Sequence, residues 1–540
     1  MPTIENLIIE HHPGNLDAPK VALTRTQFIL VYIGIICAAL MYSLDQTIVA
    51  PALHAMINDL GHTELVSWVG SAFMLCSGST GILYGRLSDI FGRKPAYLTA
   101  LVLFEVGSVV CATAQSMNML IVGRAITGVG GGGIATLGVI IVSDIVSLKD
   151  RGKFQGLTGA IYGLSSMIGP VLGGYFTQNL NWRWCFWINL PVGCLTVLAI
   201  TLFLKLPPVS GNLNDQISRV DYFGAFLILS SIGALLAPIQ FGGSTWSWLS
   251  APIISLFILS IALLVVFVHV EMHIAKEPIV PMKIFKERVV VGFLAMSVAI
   301  GAAMFPVIYY NSLFYQFVYG MDAIDAGAST LPSMVTFVAF SIVAGMVLSK
   351  TGSYNIFFVL GPIIWILSTV YTAFLTKDSS AFMKITSNLI LGIGPGMVYS
   401  TRISGIQLNV DQTLVAVVSG CAVTMSVIGG AFGISITGTI LNNVITTSSA
   451  SDVELQNAVG VLGRMGINLD VSQFVELLTE LDEVIGEANG ERLALFTAAK
   501  SQLISRFTEA FKIGALAWIP YLIVLLGLLP LVWKRTGKKA

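Results

Sequence analysis

Long apolar runs separated by short polar stretches dominate the pattern of this 540-residue chain. About fourteen of the runs are long enough to cross the hydrocarbon core of a bilayer as helices, which takes roughly 20 residues each. The runs centre near Gly34, Phe73, Phe104, Ala135, Gly163, Leu195, Leu229, Ile261, Ala299, Val338, Ile364, Leu391, Ile428 and Leu522. The pattern therefore predicts an all-α integral membrane protein with fourteen transmembrane helices, surrounded by the lipid bilayer.

The distribution of Lys and Arg predicts how the runs are oriented. When loops are assigned to alternate sides, roughly 20 of these residues fall on the side of the amino terminus and roughly 3 in the short loops opposite. Basic residues concentrate on the cytoplasmic side of membrane proteins, so both termini are predicted to lie inside. The long segment 446–511 is an outer loop in this scheme. We expect amphipathic helices there, packed as a surface cap, with a ligand-binding lid as the alternative; its helically spaced residues are Phe474, Leu477, Leu478 and Leu481.

An internal repeat divides the runs into two units. Gly85 and Gly92 have counterparts at Gly345 and Gly352, about 260 residues later. Two six-helix bundles with two inserted helices are the simplest architecture that accommodates this repeat. The predicted domains are a cytoplasmic tail (1–26), a first bundle (27–205), a linker with two inserted helices (206–288), a second bundle that includes the outer loop (289–533) and a cytoplasmic tail (534–540).

Composition excludes several functional classes. The chain is 55% hydrophobic and only 11% charged, whereas charged residues make up about a quarter of a soluble domain. Its formal net charge is zero and its basic residues are scattered, so we expect no nucleic-acid partner. The six cysteines include no CxxC pair, so neither a disulfide framework nor a metal site is expected.

A charged stretch between the second and third runs carries the most specific motif. It reads GRLSDIFGRK, from Gly85 through Asp89 and Gly92 to Arg93 and Lys94. It resembles the loop between helices two and three of the major facilitator superfamily. In that family the loop latches the two halves together on the cytoplasmic side, which implies that Asp89 and Arg93 form the polar latch. The alternative is an ordinary basic inner loop that only fixes topology.

Two ionisable residues fall in predicted membrane helices that run in opposite directions. Asp45 lies late in the first run and Arg124 early in the fourth, so both are expected at comparable outer depth, where they could pair. A neighbouring cation stabilises a carboxylate that would otherwise be costly in a membrane. The sequence LDQTIV around Asp45 resembles a motif of fourteen-spanner drug:H+ antiporters, although Ala50 stands where that motif usually has Asn. Arg124, followed by Gly128, resembles the span-four motif of the same superfamily.

This resemblance implies that Asp45 couples transport to protons and that Arg124 tunes it. The alternatives are a purely structural Asp45 and a static ion pair. Glu105 lies near the middle of the third run, where an ionised acid is most expensive. It is either a protonated structural residue or a second proton-coupling site.

The fifth run contains a glycine and proline pattern that resembles the antiporter signature of the family. It consists of Gly163, Gly169, Pro170, Gly173 and Gly174. In the superfamily this signature tends to mark exporters. Proline and glycine also let a helix kink and approach its neighbour closely.

The second half is expected to contact substrate mainly through apolar, aromatic and amide groups, because few ionisable residues lie in its runs. The candidate substrate-binding residues lie near run ends and are Tyr309, Tyr310, Asn311, Tyr315, Gln316 and Gln407.

The motifs extend the resemblance over nearly the whole chain from Phe28 onward, towards fungal multidrug and toxin efflux pumps. The resemblance implies a monomeric, proton-coupled exporter of small amphiphilic molecules, either drugs or a fungal secondary metabolite, that works by alternating access. It implies no enzymatic activity, cofactor or metal. The plasma membrane is the expected location and the vacuolar membrane the alternative.

Two other functions stay open. An organic-acid or siderophore carrier of the same fold would need a further cationic residue in the cavity, and the sparse charge of the second half argues against it. A non-transporting sensor would need a large cytoplasmic signalling tail, whereas the predicted tail after Trp533 is short.

Overall fold

The computed structural model describes residues 23–61, 65, 67–147, 150–206, 209, 212–242, 246–321, 323–411, 414–449, 457 and 491–533. Within these residues the chain forms helices, turns and one isolated bridge between Gly242 and Trp246. Helices suit an apolar chain in a bilayer because they satisfy their backbone hydrogen bonds internally.

The first helix of the amino-terminal half begins at Arg25, within the tail predicted at 1–26. It begins there because Thr24 caps it. Thr24 Oγ1 accepts from the Gln27 N–H at 3.3 Å, and Gln27 Oε1 accepts from the Thr24 N–H at 3.1 Å. This reciprocal capping satisfies two backbone donors that the first turn leaves unpaired. The helices are α1 (Arg25–Thr47), α2 (Leu53–Leu60), α3 (Ser67–Phe91), α4 (Arg93–Ala112), α5 (Met117–Ile145), α6 (Arg151–Asn179), α7 (Trp184–Trp187) and α8 (Asn189–Phe203).

The connection between the halves contains two long helices that pack against each other. The first of them is capped by Asp221, whose Oδ1 accepts from the Gly224 N–H at 2.8 Å. The same helix packs against α3, so the inserted pair lies alongside the amino-terminal half. The elements are α9 (Leu213–Ser218), α10 (Tyr222–Phe241), α11 (Ala251–His273) and a 3-10 turn (Met282–Lys286).

The carboxyl-terminal half begins with a 32-residue helix and ends with a helix interrupted twice near prolines. Its helices are α12 (Arg288–Tyr319), α13 (Ala323–Thr351), α14 (Asn355–Ala373), α15 (Ala381–Leu391), α16 (Ile393–Gln407), α17 (Val415–Ser449), α18 (Glu491–Leu516), α19 (Ile519–Gly527) and α20 (Leu529–Val532).

Two helix pairs hold the halves together: α3 packs against α17, and α6 packs against α13. Glycines allow the backbones to approach at both contacts. A Cβ atom on Gly85 would lie 3.1 Å from the Ala416 carbonyl oxygen, and one on Gly156 would lie 3.0 Å from that of Ser341. All four residues lie towards the predicted cytoplasmic ends of their helices, so the halves touch each other on that side.

Among the described residues, twelve helical segments are long and apolar enough to cross a membrane. The two long helices missing from this set, α3 and α6, have 25 and 29 residues. Both pack between the halves and carry many Gly, Ser and Thr residues, which lowers their hydropathy. The sequence prediction of an all-α membrane fold is confirmed. The count of fourteen stays a prediction.

The segment 446–511, predicted as an outer loop, is helical at both ends. Helix α17 continues to Ser449, and α18 begins at Glu491 and leads into the last membrane segment. This helix packs against α12 and α17, and the rings of Phe314 and Phe511 lie 4.2 Å apart. The helically spaced residues from Phe474 to Leu481 lie outside the described residues.

Candidate functional site

A buried ion pair joins α1 to α5. Arg124 Nη1 donates a hydrogen bond to Asp45 Oδ2, and the exposed fractions of the two residues are 1% and 0%. Asp45 lies in the last turn of α1 and Arg124 near the start of α5. The antiparallel helices therefore bring the two side chains to the same depth, as the sequence argument expects. Their roles in proton coupling stay predictions.

The guanidinium of Arg124 has further partners that replace lost hydration. Its Nε donates to the Val69 carbonyl oxygen at 2.9 Å. Its Cζ lies 4.5 Å from the ring centroid of Phe73 and 5.8 Å from that of Phe186. Aromatic faces and a carbonyl both stabilise a desolvated cation, so α3 and α7 help to hold the pair between α1 and α5.

Asn189, at the start of α8, is a member of the site that the sequence argument missed. Its Nδ2 donates to Asp45 Oδ1 at 3.3 Å and to Ser108 Oγ at 3.2 Å. The residue is 1% exposed. It connects the carboxylate to α4 and α8, so each carboxylate oxygen has a hydrogen-bond donor. An amide at the start of an apolar run was the only available signal.

Glu105 lies near this cluster on α4. Among the residues that the structure describes, neither of its carboxylate oxygens has a hydrogen-bond partner. The carboxyl group packs against Gly193 of α8, where a larger residue would occupy the same space. Glycine at this position therefore makes room for the acid, and both interpretations of Glu105 stay predictions.

The glycine and proline pattern of α6 packs against the end of α1. Gly169 lies against Thr47 and Gly173 against the Ile48 carbonyl oxygen, leaving no space for a Cβ atom at either position. Pro170 instead lines a cavity. This packing brings the backbone of α6 against Thr47 and Ile48, which follow Asp45 by two and three residues. Gly163 lies in the same helix, and no heavy atom lies within 4 Å of a Cβ built on Gly174.

The motif at the predicted cytoplasmic surface forms a charged cluster at the junction of α3 and α4. Arg93 Nη1 lies 2.6 Å from Asp89 Oδ1, and Arg93 Nε lies 3.1 Å from Asp144 Oδ2 of α5. Lys94 Nζ donates to the Thr201 carbonyl oxygen at 2.7 Å. Gly92 has a φ of 95°, which favours glycine and allows the chain to turn. Asp144, the fourth charged residue of this cluster, was not anticipated from the sequence.

Five of the six substrate-binding candidates form side-chain hydrogen bonds within the second half. Asn311 Nδ2 donates to Asn388 Oδ1 at 2.9 Å, and Asn388 Nδ2 donates to Tyr315 Oη at 2.6 Å. Tyr310 Oη donates to the Ile434 carbonyl oxygen at 3.0 Å. Gln316 Nε2 lies 3.4 Å from Ser312 Oγ, and Gln407 Nε2 donates to Ser419 Oγ at 3.0 Å. The sixth candidate, Tyr309, is 51% exposed.

Two adjoining cavities run along α12 and α13. Asn311 and Pro170 line the first cavity, so one predicted candidate from each half contacts it. Phe337 and Pro395 line the second. The cavities share four residues, Val307, Ile308, Ser333 and Met334. The space is therefore mainly apolar, with amide and hydroxyl groups at its edge.

Arg402 on α16 is a second buried arginine, and the sequence argument overlooked it. It is 2% exposed, and its Nη1 donates to Ser426 Oγ at 2.9 Å. A check of each apolar run for ionisable residues, the signal that identified Arg124, would have found it. It is one of the few ionisable residues in the runs of the second half, and the expectation about the charge of the substrate stays a prediction.

Comparisons with known proteins identify the family of this chain. The family model of the Major Facilitator Superfamily matches residues 35–434. The chain is 31% identical over 483 residues to an aspyridones efflux protein of Neocamarosporium betae, covering 88% of this chain and 85% of that relative. It is also 31% identical over 516 residues to the MFS-type transporter phomT of Diaporthe leptostromiformis, covering 93% and 87%.

The fold is similar to that of a solved human transporter. The structure of the organic anion transporter MFSD10 (TETRAN) superposes with a TM-score of 0.58 at 14% identity, covering 93% of this chain and 99% of that one. At this identity the likeness concerns the fold alone. The family match confirms the resemblance found in the motifs. The chain is therefore a multi-pass membrane transporter, not an enzyme, and it belongs to the Major Facilitator Superfamily.

Proposed function

We propose that this transporter exports small amphiphilic organic molecules, drugs or a secondary metabolite, in exchange for protons. The observation that carries the proposal is the fully buried pair of Asp45 and Arg124. A proton that reaches Asp45 removes one charge of the pair and thereby changes the interactions at this point between α1 and α5. Relatives named as efflux proteins support the direction of transport.

The packing around the pair suggests how protonation reaches the interface between the halves. Gly169 of α6 lies against Thr47, two residues from Asp45, and α6 also packs against α13 of the other half. A neutral Asp45 loses its charge-assisted bond to Arg124 and weakens its bond to Asn189. The resulting shift of α1 is passed to α6, which favours a different contact between the halves.

Alternating access would then use the same two helix pairs. In this conformation Gly85 lies against Ala416 at the predicted cytoplasmic end, while cavities lie beside Pro170 and Asn311. Separating the cytoplasmic contacts would admit substrate from inside. Closing them again, with a proton taken up from outside, would complete the cycle.

The proposal includes fourteen transmembrane helices, with α3 and α6 added to the twelve apolar segments. Their lengths of 25 and 29 residues exceed the roughly 20 residues that a bilayer requires. Their polar and small residues suit helices that face the other half rather than lipid. A monomer in the plasma membrane is the simplest arrangement, with the vacuolar membrane as the alternative location.

The test is efflux of a panel of amphiphilic compounds from pump-deficient yeast that express the chain. We expect expression to lower accumulation, and both a protonophore and Asp45→Asn to abolish this effect at equal protein level in the membrane. Asp59→Asn is the matched control, because Asp59 is an acid outside the long membrane helices, paired with Arg183 at 2.5 Å. Full proton-dependent export by Asp45→Asn would refute the assignment and make Glu105 the next candidate.

An organic-acid carrier of the same fold is the second candidate. It is favoured by one observation, the buried Arg402, a cation of the second half that lies near the cavity without lining it. The two functions differ in the charge of the exported molecule rather than in the transport cycle.

A further inference from the structure

Arg402 has few contacts that offset the cost of burying its charge. Its Nη1 donates to Ser426 Oγ, and its Cζ lies 5.0 Å from the ring centroid of Tyr399. Its Nε has no hydrogen-bond partner, and no Asp or Glu of the described residues forms an ion pair with it. Burying an arginine without an anion is costly. The described surroundings of Arg402 therefore lack the negative group that would offset this cost.

Within the candidate membrane segments of the described residues, Arg124 is the other buried arginine, and it shows what full compensation looks like. Arg124 has the carboxylate of Asp45, the Val69 carbonyl oxygen and an aromatic face. Among the described residues, Arg402 has a hydroxyl and an aromatic face but no carboxylate. Both residues are equally buried, at 1% and 2% exposure. The difference between the two sites is therefore one carboxylate.

Arg402 does not line either cavity, but its neighbour Tyr399 lies between it and one of them. Tyr399 lies one helical turn away, and a Cβ atom on Gly159 of the amino-terminal half would lie 3.2 Å from its ring. The Tyr399 ring also lies 5.8 Å from that of Phe337, which lines the cavity together with Pro395. Tyr399 therefore lies at the interface between the halves, close to both the cavity and Arg402.

We propose that Arg402 binds the carboxylate of an amphiphilic organic acid and that such acids are the substrates of this transporter. The guanidinium binds a carboxylate through two parallel hydrogen bonds, and the free Nε supplies a donor for this arrangement. When the halves separate, Tyr399 loses its contact with Gly159 and opens the way to Arg402. The apolar part of the acid occupies the cavity along α12 and α13. This inference rests on the proposed export function, whose substrate class it names.

The experiment compares a matched pair of fluorescent probes, 1-pyrenebutyrate and its neutral amide 1-pyrenebutyramide. Efflux of each is measured in pump-deficient yeast that express wild type, Arg402→Gln or Arg402→Lys, with and without a protonophore. We expect Arg402→Gln to reduce export of the acid about tenfold or more, the usual effect of losing a hydrogen bond to a charged group. Export of the amide should change by less than about twofold, and Arg402→Lys should retain part of the acid export.

Purified protein provides a second readout that does not depend on transport. The acid should raise the melting temperature of wild type, but not that of Arg402→Gln, and the amide should act equally on both. Membrane levels and the melting temperatures without probe identify a variant that fails to fold. If Arg402→Gln fails to fold, Arg402→Lys, which keeps the charge, replaces Arg402→Gln in both assays.

The outcomes separate this inference from the function on which it rests. Loss of acid export alone supports a carboxylate site. Export of the amide but not the acid by wild type, or an equal loss of both in Arg402→Gln, overturns the site while leaving amphiphile export intact. If correctly inserted wild type exports neither probe and neither stabilises it, both the export of such amphiphiles and the acid site are refuted.

Discussion

In each half the first and fourth predicted membrane helices are joined by a buried polar pair, but the two pairs differ in charge. In the amino-terminal half Asp45 and Arg124 form an ion pair. In the carboxyl-terminal half Asn311 and Asn388 form a neutral amide pair at 2.9 Å. The internal repeat of about 260 residues relates Asp45 to Asn311 and Arg124 to Asn388 along the sequence. The two pairs are thus variants of one contact.

The difference between these pairs separates structural support from chemistry. An amide pair forms its hydrogen bond without a charge, so it holds two helices together regardless of the proton gradient. An ion pair does the same while it is ionised, but a single proton on the acid changes it. Under the proposed function, the amino-terminal half therefore carries the part of the contact that protons regulate, and the other half has a contact without charge.

The second buried arginine extends the comparison to the substrate. The amino-terminal half contains its own counter-charge for Arg124, whereas among the described residues no acid forms an ion pair with Arg402. A proton on Asp45 and an acid on Arg402 would each change the buried charge by one unit. Under the two proposals, one half binds the coupling ion and the other the exported molecule.

The largest effect is expected when the amino-terminal pair loses only its cation. Arg124→Asn leaves the carboxylate of Asp45 buried without its main partner, which costs about 3–5 kcal/mol. The double variant Asp45→Asn with Arg124→Asn copies the amide pair of the other half and should regain much of this stability. It should still lack proton-driven export. Melting temperature in detergent and efflux in yeast measure the two effects.

The comparison between the two pairs fails if Arg124→Asn and the double variant do not differ. A double variant as unstable as Arg124→Asn would mean that Arg124 acts through Val69 and Phe73 rather than through Asp45. A double variant with proton-driven export would show that the pair is not the coupling site.

A smaller effect is expected from the amide pair. Asn388→Leu leaves the Nδ2 of Asn311 without its acceptor and the Tyr315 hydroxyl without its donor, which costs about 1–3 kcal/mol. Export should keep its sensitivity to a protonophore, because no charge has changed. Asn311→Leu together with Asn388→Leu is the matched control and should recover part of the stability. Loss of proton dependence in Asn388→Leu would assign coupling to the second half and end the distinction between the pairs.

Most of the fold and the amino-terminal site could be predicted from the sequence because charge and hydropathy leave clear signals in a membrane protein. The positions of Asp45 and Arg124 in two antiparallel runs were enough to predict their common depth. The runs centred near Phe73 and Gly163 are helical, as α3 and α6, but their hydropathy is lower because helices between two halves need little lipid-facing surface.

Neutral polar partners were harder to predict. Asn189, Ser108 and Asn388 are common residue types whose importance depends on which helices meet, and helix packing cannot be derived from a single run. Arg402 is different, because its charge was visible in the sequence and only its missing counter-charge required the structure. The absence of an ion pair is a property of the folded surroundings.

The smallest effect is expected from an ion pair outside the membrane helices, which tests whether burial rather than charge gives the Asp45 pair its importance. Glu277 accepts from Arg219 Nε at 2.7 Å and from Arg86 Nη2 at 2.8 Å, and its side chain is 31% exposed. The hydrogen bond from Arg219 lowers the pKa of Glu277 below its ordinary value of 4.5. Its stabilising effect is therefore present above pH 4.5 and is lost as the pH falls through the lowered pKa.

We expect Glu277→Gln to cost less than about 1 kcal/mol at pH 7, because solvent screens an exposed pair. The melting temperatures of wild type and Glu277→Gln should converge as the medium is acidified, since protonated Glu277 no longer has the charge that the substitution removes. If Glu277→Gln destabilised the protein as much as Arg124→Asn does, charge alone would explain both sites. The contrast between the halves would then lose its physical basis, which is that an ion pair becomes a sensitive switch only where water cannot replace a lost partner.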